Sequence, residues 1–149
     1  MSAASIALVA CCSRKAREPM SARDLYQGDL FRKSVALVEQ RRLPWFVLSA
    51  KHGVLEPGEL VAPYNFAMAD LGRADRERWA RRACTAIALL VEPCAVLMLA
   101  GVPYREWLAP MLEDRGFVVE TPLVGLGIGR QKQRLVELAK REANQCAQS

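Results

Sequence analysis

The chain is poor in the residues that most often hold metal ions and disulfides. It has 149 residues with one histidine, His52, and an odd number of cysteines, five, none of them spaced as C-x-x-C. One histidine and scattered cysteines do not supply a zinc site, so we expect no required metal. An odd cysteine count without a disulfide framework is typical of a reduced, cytoplasmic protein.

Long apolar runs are missing as well. No stretch approaches the ~18 apolar residues needed to span a bilayer, and the N-terminus lacks the pattern of a secretory signal. We therefore expect a cytoplasmic protein with no membrane partner. Because the sequence contains no repeat, linker or low-complexity tract, we expect a single domain over residues 1–149. No feature of the sequence indicates an obligate protein partner.

The glycine motifs of dinucleotide and ATP sites are also absent. The fragment Gly127-Ile128-Gly129 has no third glycine of a dinucleotide fingerprint and does not follow the first apolar run. The Walker lysine motif does not occur either, which argues against an ATPase or a kinase. We expect no cofactor.

Positive charge is what the chain has in excess. The formal net charge is +5 and the isoelectric point is about 9.2. An excess of basic residues favours a polyanionic partner, and nucleic acid is the obvious candidate. A protein that is merely basic would have the same composition, so charge alone leaves the partner open.

Apolar runs alternate with helical periodicity along the chain. We predict strands over residues 5–10, 45–49, 95–99 and 117–120, and helices over residues 22–42, 73–91, 103–115 and 130–144. This alternation is typical of βαβ units with right-handed crossovers. It predicts an α/β fold of three layers around a four-stranded parallel sheet, with a long connection over residues 50–69.

Polar side chains follow the first two predicted strands where each one ends. Cys12-Ser13-x-Lys15 comes after the first strand, and Ser49 and His52 come after the second. Ligands of parallel sheets bind beyond these carboxyl ends, so we expect one shared site with Ser13, Lys15, Ser49 and His52 as catalytic residues. We place Cys12 among the binding residues. A thiolate at Cys12 is the alternative, and so is a small buried cysteine beside solvated side chains.

Aromatic residues near these strand ends are candidates for holding a base. Tyr64 and Asn65 follow Pro63, which stiffens the chain, and combine a stacking surface with a donor and an acceptor. Tyr26 is the second aromatic candidate, although it also fits the buried face of an amphipathic helix. We predict all three as substrate-binding residues.

The segment after the fourth predicted strand carries further candidates. Gly127 and Gly129 let the backbone approach a ligand, and Arg130 adds positive charge at a helix start. We predict these three and Gln131 as substrate-binding residues. The acidic residues near the proposed crevice are Asp24, Asp29, Glu56 and Glu59, and their spacing does not single out one that orients water.

Six short motifs, in this order, resemble a family of small bacterial and phage proteins that are often labelled YaaA-like. They are Cys12-Ser13-x-Lys15, Ala22-x-x-Leu25-Tyr26-x-x-x-Leu30-Phe31, Leu48-Ser49-Ala50-Lys51-His52-Gly53-x-Leu55, Pro63-Tyr64-Asn65, Ala100-Gly101-x-x-Tyr104 and Gly125-Leu126-Gly127-Ile128-Gly129-x-Gln131. The first motif is similar to a loop in the lysine-transferring domain of archaeosine synthase. Asp29 and Arg32 stand where that domain's pattern has Ser and His.

The wider resemblance is to the uracil-DNA glycosylase-like fold. It implies base-handling loops after the first, second and fourth parallel strands, here residues 11–15, 49–53 and 121–131. The chain lacks the Gly-Gln-Asp-Pro-Tyr and His-Pro-Ser loops of uracil-DNA glycosylases.

The resemblance implies a DNA glycosylase-like hydrolase that removes a modified nucleobase, in DNA repair or in defence against phages. Single-stranded DNA is the easier substrate, because extruding a paired base costs a few kcal/mol. Two alternatives are a non-enzymatic DNA-binding protein of the stress response and a nucleobase-modifying transferase with Lys15 or Cys12 in a covalent role.

Overall fold

Strands and helices alternate along the chain. The computed structural model describes residues 4–148, with the side chains of residues 4–141, so residues 1–3 and 149 of the predicted domain lie outside the described residues. The strands are β1 (Ile6–Ala10), β2 (Met20–Ser21), β3 (Trp45–Ser49), β4 (Gly53–Leu55), β5 (Leu60–Val61), β6 (Ala95–Leu99) and β7 (Val118–Glu120). The helices are α1 (Ala22–Leu25), α2 (Asp29–Gln40), α3 (Arg73–Leu90), α4 (Val102–Asp114) and α5 (Ile128–Gln148), with a 3₁₀ turn at Met68–Asp70.

The central sheet is mostly parallel. Its strand order is β4-β3-β1-β6-β7, and β3, β1, β6 and β7 run parallel to one another. Ala7 in β1 lies opposite Trp45 in β3 and Leu97 in β6. These four strands are the predicted ones, and their carboxyl ends share one edge of the sheet.

A fifth, antiparallel strand corrects the prediction of four. β4 pairs with β3, with Ser49 opposite Gly53 and Val47 opposite Leu55. Gly53 has a φ of +78°, a conformation that glycine adopts without strain, so the chain reverses directly after β3. The stretch predicted as one long connection therefore begins with a hairpin, which holds the end of β3 in place.

Helices cover both faces of the sheet. Side chains alternate along β1: Ala7 and Val9 belong to one buried cluster, and Ile6 and Leu8 belong to the other. The first cluster includes Phe31 and residues of α2 and α5, and the second includes residues of α3 and α4. The mixed α/β prediction, with helices flanking a mainly parallel sheet, is confirmed.

The predicted single helix over residues 22–42 is wrong. The chain forms α1 and α2 instead, separated at Tyr26-Gln27-Gly28, where Tyr26 is extended and bridges to Lys15. A side chain at Gly28 would place its Cβ 2.8 Å from Cys12 Sγ, so a larger residue there would require Cys12 to move. The helix breaks because the chain packs against the end of β1, and the break directs Tyr26 toward that end.

The turn after α4 requires a glycine in the left-handed conformation. Gly116 has a φ of +95°, and a Cβ there would lie 3.4 Å from Pro93 Cβ. We expect Gly116→Ala to lower the free energy of unfolding by about 1 kcal/mol or more, measured by urea denaturation. Gly58→Ala is the control, because a Cβ at Gly58 meets nothing within 4 Å and its φ is not positive. Equal losses in the two variants would contradict this account of the turn.

Candidate functional site

A cleft of about 210 Å³ opens at the carboxyl edge of the parallel strands. The ends of β1 and β6 form its floor, and the first turns of α2, α4 and α5 form its walls. The lining residues are Ala10, Cys11, Cys12, Leu30, Phe31, Ser34, Leu99, Ala100, Gly101, Pro103, Tyr104, Leu123, Ile128 and Gln131. The cleft lies at the edge of the sheet where the sequence predicts a shared site.

The walls of the cleft are mainly apolar, with a few polar groups. Leu30, Phe31 and Ile128 supply apolar surface, while Tyr104 and Gln131 supply a hydroxyl and an amide. Sites for drug-sized ligands usually measure ~300–1,000 Å³. The cleft therefore suits one small, flat group with a polar edge better than a larger ligand.

Three helices begin beside this cleft. Leu30 in the first turn of α2, Gly101 just before α4 and Ile128 at the start of α5 all line it. Within the described residues, no side chain caps the N-terminus of α2 or of α4. The positive ends of three helix dipoles therefore lie beside the cleft, which favours an anionic or electron-rich group. In α4 the first turn offers few free N–H groups, because Pro103 has none and the Tyr104 N–H donates to the Gly101 carbonyl.

A chain of buried hydroxyl groups lies next to the cleft. Tyr26 Oη is 2.6 Å from Tyr64 Oη, and Tyr64 Oη is 2.7 Å from Ser49 Oγ. The backbone N–H of His52 donates to Ser49 Oγ at 3.1 Å. We call Tyr26, Tyr64 and Ser49 the hydroxyl cluster. Ser49 and Tyr26 are wholly buried, so Tyr64 is the member that solvent or a ligand reaches.

Cys11 joins the hydroxyl cluster to the cleft. Its Sγ lies 3.2 Å from Tyr104 Oη and accepts a longer hydrogen bond, of 3.9 Å, from Tyr64 Oη. Cys11 and Tyr104 both line the cleft. A hydrogen-bonded path therefore runs from the buried end of β3 to the cleft floor.

Basic side chains surround Tyr64. Lys15 Nζ lies 4.4 Å from the centroid of the Tyr64 ring and donates to the Ser13 carbonyl at 3.3 Å. Lys51 Nζ is 5.5 Å from the same ring, and the His52 ring meets it edge-on at 5.1 Å. Contacts of an ammonium with a ring face are attractive. They gather positive charge around the one accessible member of the hydroxyl cluster.

Burial keeps the three tyrosines protonated. It raises the pKa of Tyr26 to about 12 and is the main reason that the pKa values of Tyr64 and Tyr104 also lie above the ordinary 10.0. All three phenols therefore remain neutral hydrogen-bonding groups at physiological pH.

Trp79 braces the end of β3 from the other face of the sheet. Its Nε1–H donates to the Ser49 carbonyl at 2.9 Å, and its ring meets Tyr104 edge-on at 5.4 Å. The indole thus connects α3 to both Ser49 and Tyr104.

The structure brings together most of the residues predicted for the site. Lys15, Tyr26, Ser49, His52 and Tyr64 lie in or against the hydroxyl cluster.

Two further predicted residues, Cys12 and Gln131, line the cleft. The Gly28 N–H donates to Cys12 Sγ at 3.3 Å, and Gln131 Nε2 donates to the Leu126 carbonyl at 2.8 Å. Both side chains are therefore held at the cleft wall.

The other predicted residues lie outside this group. Ser13 and Asn65 are exposed, and neither side chain makes a hydrogen bond within the part of the chain that the structure describes. Gly127, Gly129 and Arg130 are exposed around the start of α5, next to cleft residues. Ser13 contacts Lys15 through its carbonyl, while its hydroxyl makes no hydrogen bond to the described residues.

Three residues of the site were not predicted: Cys11, Tyr104 and Trp79. Cys11 and Tyr104 are 93 positions apart, and nothing local in either segment indicates their contact. Trp79 fits the buried face of a predicted helix, where an indole is ordinary core. The position of Tyr104 could have indicated it, because it follows the third parallel strand by a few residues, just as Lys15 and His52 follow the first and second.

Two of the four acidic candidates, Asp24 and Asp29, form ion pairs. Asp24 pairs with Arg23 at 2.9 Å, and Asp29 pairs with Lys33 at 3.0 Å and with Lys132 at 3.4 Å. Hydrogen bonding to Lys33 is the main reason that the pKa of Asp29 lies below its ordinary value. Among the described residues, no Asp or Glu lines the cleft.

The described residues form neither a metal-binding cluster nor a membrane-spanning helix. No three His, Cys, Asp or Glu side chains with described positions are grouped so as to hold a metal ion. Over the described stretch of the chain, no helix is both long and apolar enough to cross a membrane.

A family of unknown function, DUF6884, matches residues 6–137 of the chain. The chain belongs to this family. The match includes β1 to β7 and every residue of the cleft and of the hydroxyl cluster. A comparison with curated proteins found no match. Family membership therefore assigns no activity, and the chemistry of the site is the basis for a proposal.

The raised tyrosine pKa values predict how stability changes with pH. Tyr26, Tyr64 and Tyr104 are the only tyrosines of the chain. Above pH ~10 the unfolded chain loses tyrosine protons that the native protein keeps, so the free energy of unfolding falls as pH rises from about 10 to about 12. We expect little tyrosinate absorbance from native protein at pH ~10 and a strong signal in urea.

Tyr26→Phe provides the comparison, because its free energy of unfolding should fall less steeply over the same pH interval. Native protein with its tyrosines half ionised near pH ~10 would contradict the buried placement of all three.

Proposed function

We propose that the cleft takes up a single nucleobase extruded from DNA and that the protein hydrolyses its N-glycosidic bond. The observation that carries the proposal is the small, apolar-walled cleft at the carboxyl strand edge, beside which three helices begin. Hydrolysis leaves an electron pair on the departing base. The positive ends of helix dipoles stabilise such developing negative charge.

The cleft offers both kinds of contact that a base requires. Leu30 and Phe31 present apolar surface to the flat faces of the ring. The Tyr104 hydroxyl, the Cys12 thiol and the Gln131 amide supply hydrogen-bonding groups for its edge. Polar groups in a closely fitting pocket discriminate between bases by their edges, which suits a modified base.

The proposed reaction needs little acid–base chemistry from the cleft itself. The oxygen of a water molecule bonds to the sugar C1′ while the bond from C1′ to the base nitrogen breaks, and the electron pair stays on the base. The base takes up a proton, and the water gives one up. Tyr64, the half-buried member of the hydroxyl cluster, orients this water, and Ser49, which is wholly buried beside it, is a positioning residue.

The sugar cation that forms in this reaction is stabilised by the phosphates of the DNA. Lys15 lies over the Tyr64 ring and pairs with a phosphate next to the extruded nucleotide. Arg130, exposed where α5 begins, contacts the strand on the other side of the cleft. The net charge of +5 supports the same partner.

The finer fold assignment is part of this proposal. We propose a relationship to the YaaA-like proteins and to the uracil-DNA glycosylase-like fold. Four parallel strands, with candidate residues after the first, second and fourth of them, support it. A cytoplasmic role in DNA repair or in defence against phages that carry modified bases follows from the same resemblance.

One observation favours binding without hydrolysis as a second function. Within the described residues, no carboxylate lines the cleft to activate water. A protein that recognises an extruded or unpaired base in DNA, and leaves the bond intact, would use the same walls and the same basic surroundings.

The test is incubation with single-stranded oligonucleotides that each carry one modified base. We expect release of free base, measured by chromatography, and strand cleavage at the abasic site in alkali. Tyr104→Phe should lower the rate by about tenfold to a hundredfold, because it removes one hydrogen-bonding group from the cleft.

Leu89→Ser is the control, since Leu89 is exposed on α3. Tight binding of an oligonucleotide with no base released from any of them would establish the second function. Failure to bind any oligonucleotide would overturn both.

A further inference from the structure

A second depression, of about 320 Å³, lies on the other side of the β3–β4 hairpin. Lys51 and His52, in the turn that follows β3, form one wall, and Arg82 of α3 faces them from the other. Trp79, which braces Ser49, lies between these walls. We call this depression the basic pocket.

The positive charge of the basic pocket is not neutralised by neighbouring carboxylates. Lys51 and Arg82 are exposed, and neither has an acidic partner among the side chains that the structure describes. On the same helix, Arg81 pairs with Glu77 at 3.2 Å, and Arg78 pairs with Asp75. The acidic groups of this face of α3 are thus engaged elsewhere, and the pocket favours an anion.

The basic pocket adjoins the hydroxyl cluster. Lys51 and His52 both contact the Tyr64 ring, at 5.5 Å and 5.1 Å. Tyr64 in turn contacts Cys11 in the cleft. Tyr64 therefore connects the cleft with the basic pocket.

A further depression adjoins the basic pocket along α3, and Arg82 lines both. Arg78 and Arg81 also line it, but they are paired with Asp75 and Glu77, so Arg82 is the arginine of this group without an acidic partner among the described side chains. A single phosphate ion needs only one of the two depressions. A strand with a phosphate at every nucleotide can contact both.

We infer that the basic pocket binds a backbone phosphodiester of the strand whose base enters the cleft, an inference that rests on the proposed function for the identity of that strand. Arg82 and Lys51 donate to the phosphate oxygens, as charged side chains do in nucleic-acid interfaces. The pocket thereby adds a contact on the α3 side, far from Arg130.

His52 makes the test specific, because it is the only histidine in the chain and its ring protons give one set of proton NMR signals. The ligand is a single-stranded oligothymidylate, with a methylphosphonate version of the same sequence as the uncharged control. We expect the phosphodiester strand to shift the His52 signals and the uncharged strand to leave them in place. Inorganic phosphate is a third arm, and shifts with phosphate but none with the strand would overturn the choice of a nucleic acid.

Arg82→Gln tests the pocket itself. Losing one phosphate contact should reduce the slope of log affinity against log salt by about 0.7, and weaken binding about eightfold at about 50 mM salt. Arg42→Gln is the matched control, since it removes the same charge from an exposed residue just before β3, at the opposite edge of the sheet.

The outcomes separate the two proposals. If the strand binds but Arg82→Gln keeps the wild-type slope, or the uncharged strand shifts His52 equally, the basic pocket is not a phosphate site and the proposed function stands. If the phosphodiester strand does not bind at all, both proposals fail.

Discussion

The close contact between Cys12 and Gly28 determines how the candidate site is assembled. The Gly28 N–H donates to Cys12 Sγ at 3.3 Å, and a Cβ at position 28 would lie 2.8 Å from that sulfur in its present place. Because the backbone comes so close, the chain leaves its helical path there. Tyr26 then lies extended beside Lys15, and α2 starts against the end of β1. One wall of the cleft and one end of the hydroxyl cluster both depend on this contact.

The sequence was most informative about the parallel strands. A strand that is buried on both faces is a continuous apolar run, so the run itself marks the strand. The end of each apolar run gives the end of its strand, and the strand ends together give the edge of the sheet at which ligands bind. β4 is only three residues long, and nothing in its composition separates it from a loop. The break before Gly28 was missed for a related reason, since helical periodicity continues across it and the contact with Cys12 is not local.

Site residues that directly follow a strand could be predicted from the sequence. Site residues that are brought together by contacts between distant segments of the chain could not. Ser49, Lys15 and His52 follow strand ends, and they do lie around Tyr64. The contact of Cys11 with Tyr104 joins two crossover units, and it is set by the register of β1 against β6. The complete burial of Ser49 could not be predicted either, because nothing in the sequence distinguishes it from an exposed serine.

The hydrogen bond from Trp79 to the Ser49 carbonyl holds the end of β3, and it also sets the distance between β3 and α3. It ties α3, which carries Arg82, to β3, which carries Ser49 of the hydroxyl cluster, and the Trp79 side chain that makes the hydrogen bond lies in the buried core. The spacing between the cleft and the face of α3 is therefore set by close-packed side chains, which yield little. A DNA strand bound both in the cleft and at Arg82 would therefore span a fixed distance, whatever its base sequence.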